Sequence, residues 1–375
     1  MRLFISCCSV TSEAAGDWDP NSELLLYRQR HENGNAEMDT QIQRHFKLPS
    51  SSCSGRDANA SFSYFDNYLY LSQIQQSRCY ETAFNRWRQL QSERTAQTMG
   101  ILYWQLNDIW QGPSWASMEY SGRWKPVQYM TRRAFAPVAV SFSGNVGDEE
   151  VELWVANNEL YDVQLTVAVE ALSWQRTSEQ ESRAKIGTIN VMIPAISSFK
   201  LYAFSMSKDV LTEATGCSDV NQCYPKATGS YSSGRRATVA VHEATHYLSQ
   251  MKDARLSDEL GVSVSAVGVE VAAGGDSAAR VYSFSVANDG PAACPFLFFE
   301  LTNSDSEMSN AEKSGTEAGI YDSVTAGWFS ENNILLDGFA HSRVVTYTTV
   351  ASAPASAEEF ASRLRFRCLQ EIYSC

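Results

Sequence analysis

The chain has 375 residues, of which 44% are hydrophobic, so it is long enough for two or three domains with sizeable cores. Its formal net charge of −13 leaves no basic surface to neutralise phosphates, which argues against nucleic acid as a partner. No apolar run approaches the roughly 18 residues of a transmembrane helix, so the sequence predicts no membrane span.

The first third of the chain combines predicted helices with one short apolar run. Helices are predicted at 36–46, from 66 or 67 to about 91, and at 127–135, because apolar residues recur there roughly at helical spacing. The run 99–103 lacks polar alternation and is too short for a helix. It is therefore predicted to be a strand buried on both faces.

Residues 104–115, which we call the Trp loop, follow this predicted strand directly. A buried strand followed by a polar, aromatic loop is the order in which a (β/α)8 barrel builds its active face. Indole rings can offer flat apolar faces to sugar rings, whereas amides and carboxylates can hydrogen-bond hydroxyl groups; alternatively, individual tryptophans pack beneath the loop as core residues. The candidate side chains are Trp104, Gln105, Asn107, Asp108, Trp110 and Trp115.

Several segments between about Trp18 and Pro137 carry a specific resemblance. They read RQRHENGN at 28–35, HFKLP at 45–49, LYLSQI at 69–74, LYWQLNDIW at 102–110 and EYSGRWK at 119–125. In order and approximate spacing they resemble the β-mannosidases of glycoside hydrolase family two. A related hydrolase acting on galactose or glucuronic acid is less favoured, because the string at 103–110 is closer to the mannosidase pattern. Beyond Pro137 the similarity is architectural only.

The resemblance implies hydrolysis of terminal non-reducing β-D-mannose residues of oligosaccharides and glycoproteins by a retaining mechanism. That mechanism needs two glutamates about 5–5.5 Å apart, which the family places in Asn-Glu and Ser-Glu-Tyr-Gly contexts. Glu13 lacks the second context and lies too close to Trp18, and Glu159 follows Asn158 in the later β region, where a turn is expected. Both catalytic glutamates are therefore expected upstream of Met1, and this chain is predicted to be inactive alone.

Residues 1–136 are accordingly expected to form only the C-terminal part of a (β/α)8 barrel. An incomplete barrel would leave apolar faces uncovered, which favours self-association. The adjacent His31 and Glu32 are assigned to structure or helix capping, since neighbouring side chains point in different directions. The resemblance implies no cofactor and no metal, and a β-mannoside oligosaccharide as the partner of Trp104, Asn107, Asp108, Trp110 and Trp115.

The pattern changes at Ala136–Pro137 to short strands separated by turn residues. Strands are predicted at 138–142, 151–156, 163–170, 189–193 and 199–205, and then at 237–241, 262–271, 280–287, 296–301, 328–335 and 343–347. The predicted fold class is therefore α/β plus all-β: the barrel portion at 1–136, a β-sandwich of immunoglobulin type at 137–206, a linker or long loop at 207–235, and a second sandwich at 236–375. The alternative function is a non-catalytic carbohydrate-binding or interaction protein built on the sandwiches.

The segment 242–246 reads HEATH and matches the spacing of zinc metalloproteases. That motif needs a helix and a third ligand. The flanking sequence is β-like and no third ligand is evident nearby, so a zinc site is disfavoured.

The nine cysteines leave several disulfides open: Cys217 can pair with Cys223, and Cys294, Cys368 or Cys375 can pair as well. Asn59 lies in a glycosylation sequon and weakly supports the lysosomal or secretory route that the resemblance implies. The apolar start of the chain is too short to give a clear signal peptide.

Overall fold

The computed structural model describes residues 4–6, 19–49, 60–176, 183–234, 237–271, 279–302, 327–349 and 356–373. Four helices lie in the first part of the chain: α1 (Glu23–Gln29), α2 (Gly34–His45), α3 (Ala60–Gln89) and α4 (Pro126–Ala134). The last three confirm the predicted helices. None of the helices in the described ranges is long and apolar enough to cross a membrane.

Local sequence accounts for the ends and the buried faces of these helices. The Ser22 hydroxyl accepts a hydrogen bond from the Leu25 amide and caps α1, and Pro126 occupies the first turn of α4, where no amide donor is needed. Residues 68–77 of α3 are buried on all sides, and beyond them burial recurs every four positions on one face, at Tyr80, Phe84 and Arg88.

The strand predicted at 99–103 is absent, so that expectation was wrong. A strand needs a neighbour for its backbone hydrogen bonds, and the sheets of the described chain place none beside this segment. Burial instead alternates. Ile101 and Tyr103 pack against α3 and α4, whereas Leu102 is 96% exposed and Trp104 is 65% exposed. The segment therefore presents an uncovered apolar face.

Two antiparallel sheets follow Pro137. The strands of one are β3 (Val138–Ser143), β4 (Glu150–Asn157) and β7 (Ser197–Ser205), in that order. Those of the other, in spatial order, are β6 (Arg183–Ile193), β5 (Val163–Ser173), β8 (Cys223–Ser232) and β9 (Val239–Thr245). A small earlier sheet pairs β1 (Phe4–Ser6) with β2 (Gly112–Ser114), inside the Trp loop.

The two larger sheets share one hydrophobic core. Alternate residues of β5, such as Leu165 and Val167, meet residues of β3 and β4, such as Val140 and Leu153. The linker predicted at 207–235 was wrong, since this stretch contains helix α5 (Lys208–Thr215) and strand β8, which pairs with β5 along its length. Thr228, Ser230 and Ser232 lie on β8 rather than in a loop, and β8 and β9 extend the first β region past residue 206.

A second pair of sheets forms the C-terminal β region. The strands of one, in spatial order, are β10 (Val262–Val271), β11 (Arg280–Asn288), β15 (Ala340–Thr349) and β13 (Gly327–Phe329). Those of the other are β14 (Ile334–Leu336), β12 (Cys294–Leu301) and β16 (Leu364–Arg367), accompanied by helices α6 (Ala357–Ser362) and α7 (Leu369–Tyr373). The stretch predicted as one strand at 328–335 is thus β13 and β14 in different sheets.

The helical part and the C-terminal β region share the largest core. Its buried residues come from α2 and α3, including Ile42 and Leu71, and from β11 and β12, including Phe284 and Phe299. The helical part is also fixed to the first β region through Arg88. Its guanidinium donates to the carbonyl oxygens of Ala134, Ala136, Pro137 and Ala156.

The HEATH segment lies on β9 and just after it, not on a helix. The Glu243 carboxylate pairs with Lys226 at 3.0 Å and with Arg343 at 2.8 Å. Over the described ranges no three His, Cys, Asp or Glu side chains are grouped to hold a metal ion. The segment therefore contributes a strand and ion pairs to the fold.

Among the cysteines of the described ranges, disulfides join Cys217 to Cys223 and Cys294 to Cys368. The first connects the end of α5 to the start of β8, and the second ties the start of β12 to the residue after β16. Both pairings were among those the spacing left open, and Cys375 lies outside the described residues.

Removing the longer-range disulfide should destabilise the fold more. The bridges span 74 and 6 residues. Because the entropy of loop closure grows with loop length, the Cys294→Ala/Cys368→Ala variant should lose about 4 kcal/mol and the Cys217→Ala/Cys223→Ala variant about 2 kcal/mol of unfolding free energy. Urea unfolding followed by circular dichroism measures both. Equal losses would contradict the loop-length argument.

Candidate functional site

The Trp loop lies on the end of the helical part, with its first residues anchored to α3. The Trp104 carbonyl accepts a 2.9 Å hydrogen bond from the Tyr80 hydroxyl, while the indole of Trp104 points outward. The Tyr103 hydroxyl bonds to Ser117 and Gln128, each at 3.0 Å. Tyr103 thus holds the backbone while Trp104 remains available to a ligand.

A buried ion pair lies under the loop. The Lys125 ammonium, fully buried, is 3.1 Å from Oδ2 of Asp108, whose other oxygen accepts a short hydrogen bond from Ser114. The Asp108 amide and carbonyl groups are anchored as well, through Met118 and Asn107. The prediction of Asp108 as a sugar contact did not foresee these partners, which fix the middle of the loop.

The other predicted contacts differ in exposure. Asn107 is exposed, and Trp110 and Trp115 are half-buried. The Arg28 guanidinium lies 6.0 Å from the Trp110 ring centroid and donates to the Gln111 carbonyl at 3.0 Å. The Trp115 carbonyl accepts a hydrogen bond from the amide side chain of a residue on α3. Trp110 and Trp115 therefore each pack partly against the protein and remain partly exposed to solvent.

Sequence reasoning missed a second buried charged group beside the loop. Glu119, buried, accepts hydrogen bonds from Arg123 at 2.9 and 3.0 Å, and Arg123 also lies 3.7 Å from Glu300 on β12. Burial raises the pKa of the Glu119 carboxyl, and the positive charge of Arg123 opposes that rise. The run 123–125 is locally basic, which predicts either a solvated face or a partner for acidic residues; Lys125 is buried and both cations pair with acids, as in the second alternative. The one indication of this burial in the sequence was that two acidic residues, Asp108 and Glu119, lie close to the basic run.

The remaining acid–base candidates have structural partners or lie elsewhere. The His31 imidazole is 3.5 Å from Glu37, and α2 begins at Gly34, directly after this loop, as the structural interpretation predicted. The Glu159 amide donates to the Asn157 side chain in a turn after β4, as expected. Glu13 and Asn59 lie outside the described residues.

No family model matches the chain, but curated proteins do. It is 32% identical to rat (Rattus norvegicus) β-mannosidase over 292 residues, which cover 76% of this chain and 30% of the relative. It is 46% identical to mouse (Mus musculus) β-mannosidase over 125 residues, or 32% of this chain and 13% of the relative. The chain thus spans less than a third of the length of these relatives.

Solved structures show the same fold. The β-D-mannosidase of Dictyoglomus thermophilum matches with a TM-score of 0.67 and 16% identity, over 98% of this chain and 36% of that one. The exo-chitosanase of Amycolatopsis orientalis matches with a TM-score of 0.51 and 12% identity, over 84% and 34%. The chain therefore has the fold of the matching parts of these two structures. More narrowly, the sequence is β-mannosidase-like and resembles the C-terminal portion of these enzymes.

Removing one partner of the buried Lys125–Asp108 ion pair should lower the free energy of unfolding strongly. The Lys125→Met variant leaves the Asp108 carboxylate buried without its counter-charge and should lose about 3–5 kcal/mol of unfolding free energy. The Lys125→Met/Asp108→Leu double variant should lose less, since no charge stays uncompensated. Urea unfolding followed by tryptophan fluorescence measures both, with the exposed Lys208→Met as control. A double variant as unstable as the single one would refute the pairing.

Proposed function

We propose that the chain is the C-terminal portion of a retaining β-mannosidase that removes terminal β-D-mannose from oligosaccharides and glycoproteins. The helical part up to residue 136 is the end of its (β/α)8 barrel, followed by two immunoglobulin-like β-sandwiches. The first sandwich includes β8 and β9, beyond its predicted end at 206. The observation that carries the proposal is the Trp loop, an exposed indole on an anchored backbone in a β-mannosidase-like sequence.

The sugar contacts are assigned within that loop. Trp104 stacks on the sugar ring, because its indole is the most exposed of the three. Asn107, Trp110 and Trp115 line the subsite or the loop around it. Asp108 positions these residues instead of touching the sugar, since its carboxylate is engaged by Lys125 and Ser114.

The chain alone is proposed to be inactive. Retaining hydrolysis needs two carboxyl groups about 5–5.5 Å apart, one as nucleophile and one as proton donor. The two buried carboxylates beside the Trp loop, Asp108 and Glu119, are held by Lys125 and Arg123. Neither is free to attack a sugar carbon or to give a proton to a leaving group.

An uncovered apolar surface supports the incomplete barrel. Leu102, Trp104 and Leu106 point outward in alternation, and Met99 and Ile109 flank them, all more than half exposed. A contiguous apolar surface of this kind marks a missing partner. We propose that further barrel strands cover it in an assembled enzyme and that copies of this chain associate through it when those strands are absent.

A lysosomal or secretory location is part of the proposal. The two disulfides support it, because disulfides persist in oxidising compartments.

Activity should appear only when the missing strands are supplied. The purified chain should not hydrolyse an aryl β-mannoside above the blank. Co-expression with mouse β-mannosidase truncated before its matching segment should restore turnover, and Trp104→Ala in the mixture should lower kcat/KM about tenfold, the equivalent of roughly 1.4 kcal/mol. Turnover by the chain alone would overturn the inactivity. A stable complex that binds mannosides without turnover would favour the non-catalytic alternative.

Self-association should depend on the uncovered face. Light scattering during gel filtration should show dimers or larger species for the natural chain and monomers for Leu102→Ser/Leu106→Ser. The matched control is Leu160→Ser, since Leu160 is 85% exposed but lies in a turn of the first β region. If the control also dissociates the oligomer, or the double variant does not, another surface mediates association.

A further inference from the structure

A large groove runs between α3 and the edge of the first β region, on residues that the Trp loop does not use. It encloses about 1120 Å³. One wall is a face of α3 with part of α4, and the other is the β3–β4 segment with the residues that end β9 and follow it. We call it the α3–β9 groove.

The part of the helical wall that α3 supplies is polar, whereas α4 adds Met130 and Ala134. Its six α3 residues lie one helical turn apart and mix donors with acceptors: Arg78, Glu81, Thr82, Asn85, Arg86 and Gln89. At 1.5 Å per residue this stripe is about 16 Å long, enough for a short chain of sugar rings rather than a single one. A helix face that contacts another part of the protein is normally apolar, so this stripe is built for a polar neighbour.

Two buried acceptors line the groove without a hydrogen-bond donor among the described residues. The Gln89 side chain is 3% exposed; its amide nitrogen donates to Ser141 and Phe142, but its Oε1 has no partner. Nε2 of His246 also has none and lies beside Gly144 on the opposite wall. Burial, aided by Arg78 and opposed by Asp148, lowers the pKa of His246 to about 4, so the ring is neutral at neutral pH. Unpaired buried acceptors call for a donor, and a hydroxyl group supplies one.

Two arginines of the groove, Arg78 and Arg133, are committed to the protein, whereas Arg86 is exposed. The Arg78 guanidinium stacks 3.9 Å over the Tyr247 ring and pairs with Glu81, and Arg133 donates to the Asn332 and Asn333 carbonyls. An anionic ligand would therefore compete with existing contacts at Arg78 and Arg133, and it would meet acidic side chains on both walls, such as Glu81 and Glu149. Exposed acids at the β3–β4 turn, Glu149 and Glu150, make a cationic peptide the rival ligand.

We propose that the α3–β9 groove binds a neutral oligosaccharide, as a second carbohydrate site separate from the Trp loop. Its hydroxyl groups donate to Gln89 Oε1 and His246 Nε2 and accept from the Asn85 amide and the Arg86 guanidinium of the α3 stripe. The half-buried Phe142 ring, 6.2 Å from the His246 ring, is the apolar surface against which a sugar face packs. The site does not depend on catalysis by the chain.

Calorimetric titration of the full chain with β-1,4-mannotetraose tests the site. We expect binding that is insensitive to salt and weakened about fivefold by His246→Phe and by Gln89→Leu, because each loses one net hydrogen bond. The matched controls outside the groove, His31→Phe and Gln43→Leu, should bind as the natural chain does.

Hydrogen exchange on the natural chain makes the test independent of how the variants fold. Mannotetraose should protect residues 78–89, 142–150 and 242–247. Protection confined to the Trp loop, or no binding at all, would overturn the proposal. Salt-sensitive binding of tetralysine to the groove without binding of mannotetraose would overturn it in favour of a cationic peptide.

Discussion

Arg367 connects the helical part to the C-terminal β region, and the arrangement around the Trp loop depends on it. Its guanidinium, buried near the end of β16, contacts Asp66 of α3 at 3.0 and 3.2 Å and Glu300 of β12 at 2.8 Å. Glu300 in turn lies 3.7 Å from Arg123, which holds Glu119 beside the loop. Each charge is compensated by the next, and buried charges are tolerated only when they are paired in this way. The last strand of the chain therefore helps to fix the position of the tryptophans.

The sequence predicted an element correctly where the residues that determine it lie close together along the chain. Helices α2, α3 and α4 were predictable because their apolar spacing, turn residues and Pro126 all act within a few positions. The segment 99–103 has the composition of a strand but lacks neighbouring strands with which to pair. β8 was missed because the Gly, Ser and Thr residues within it resemble those of a loop, although pairing with β5 overrides that tendency.

The same distinction applies to the site. The residue types of the Trp loop led to the proposal of a sugar site there, and the resemblance to β-mannosidases led to the proposal of mannose as the sugar. The sequence could not show that Asp108 faces Lys125, because that contact joins two stretches across a turn and requires the fold. Nor could it reveal the α3–β9 groove, whose walls come from segments distant along the chain. Tertiary contacts between polar side chains determine which of these side chains stay available to a ligand.

The contacts of Arg88 have a mechanical consequence for the whole chain. The Arg88 side chain donates hydrogen bonds to backbone carbonyls on both sides of Pro137. The connection between the helical part and the first β region is therefore rigid and does not act as a hinge. Burial lowers the pKa of this guanidinium to about 10, which still leaves it charged at neutral pH. The first β region is thereby fixed to the end of α3, so the two walls of the groove keep a constant separation.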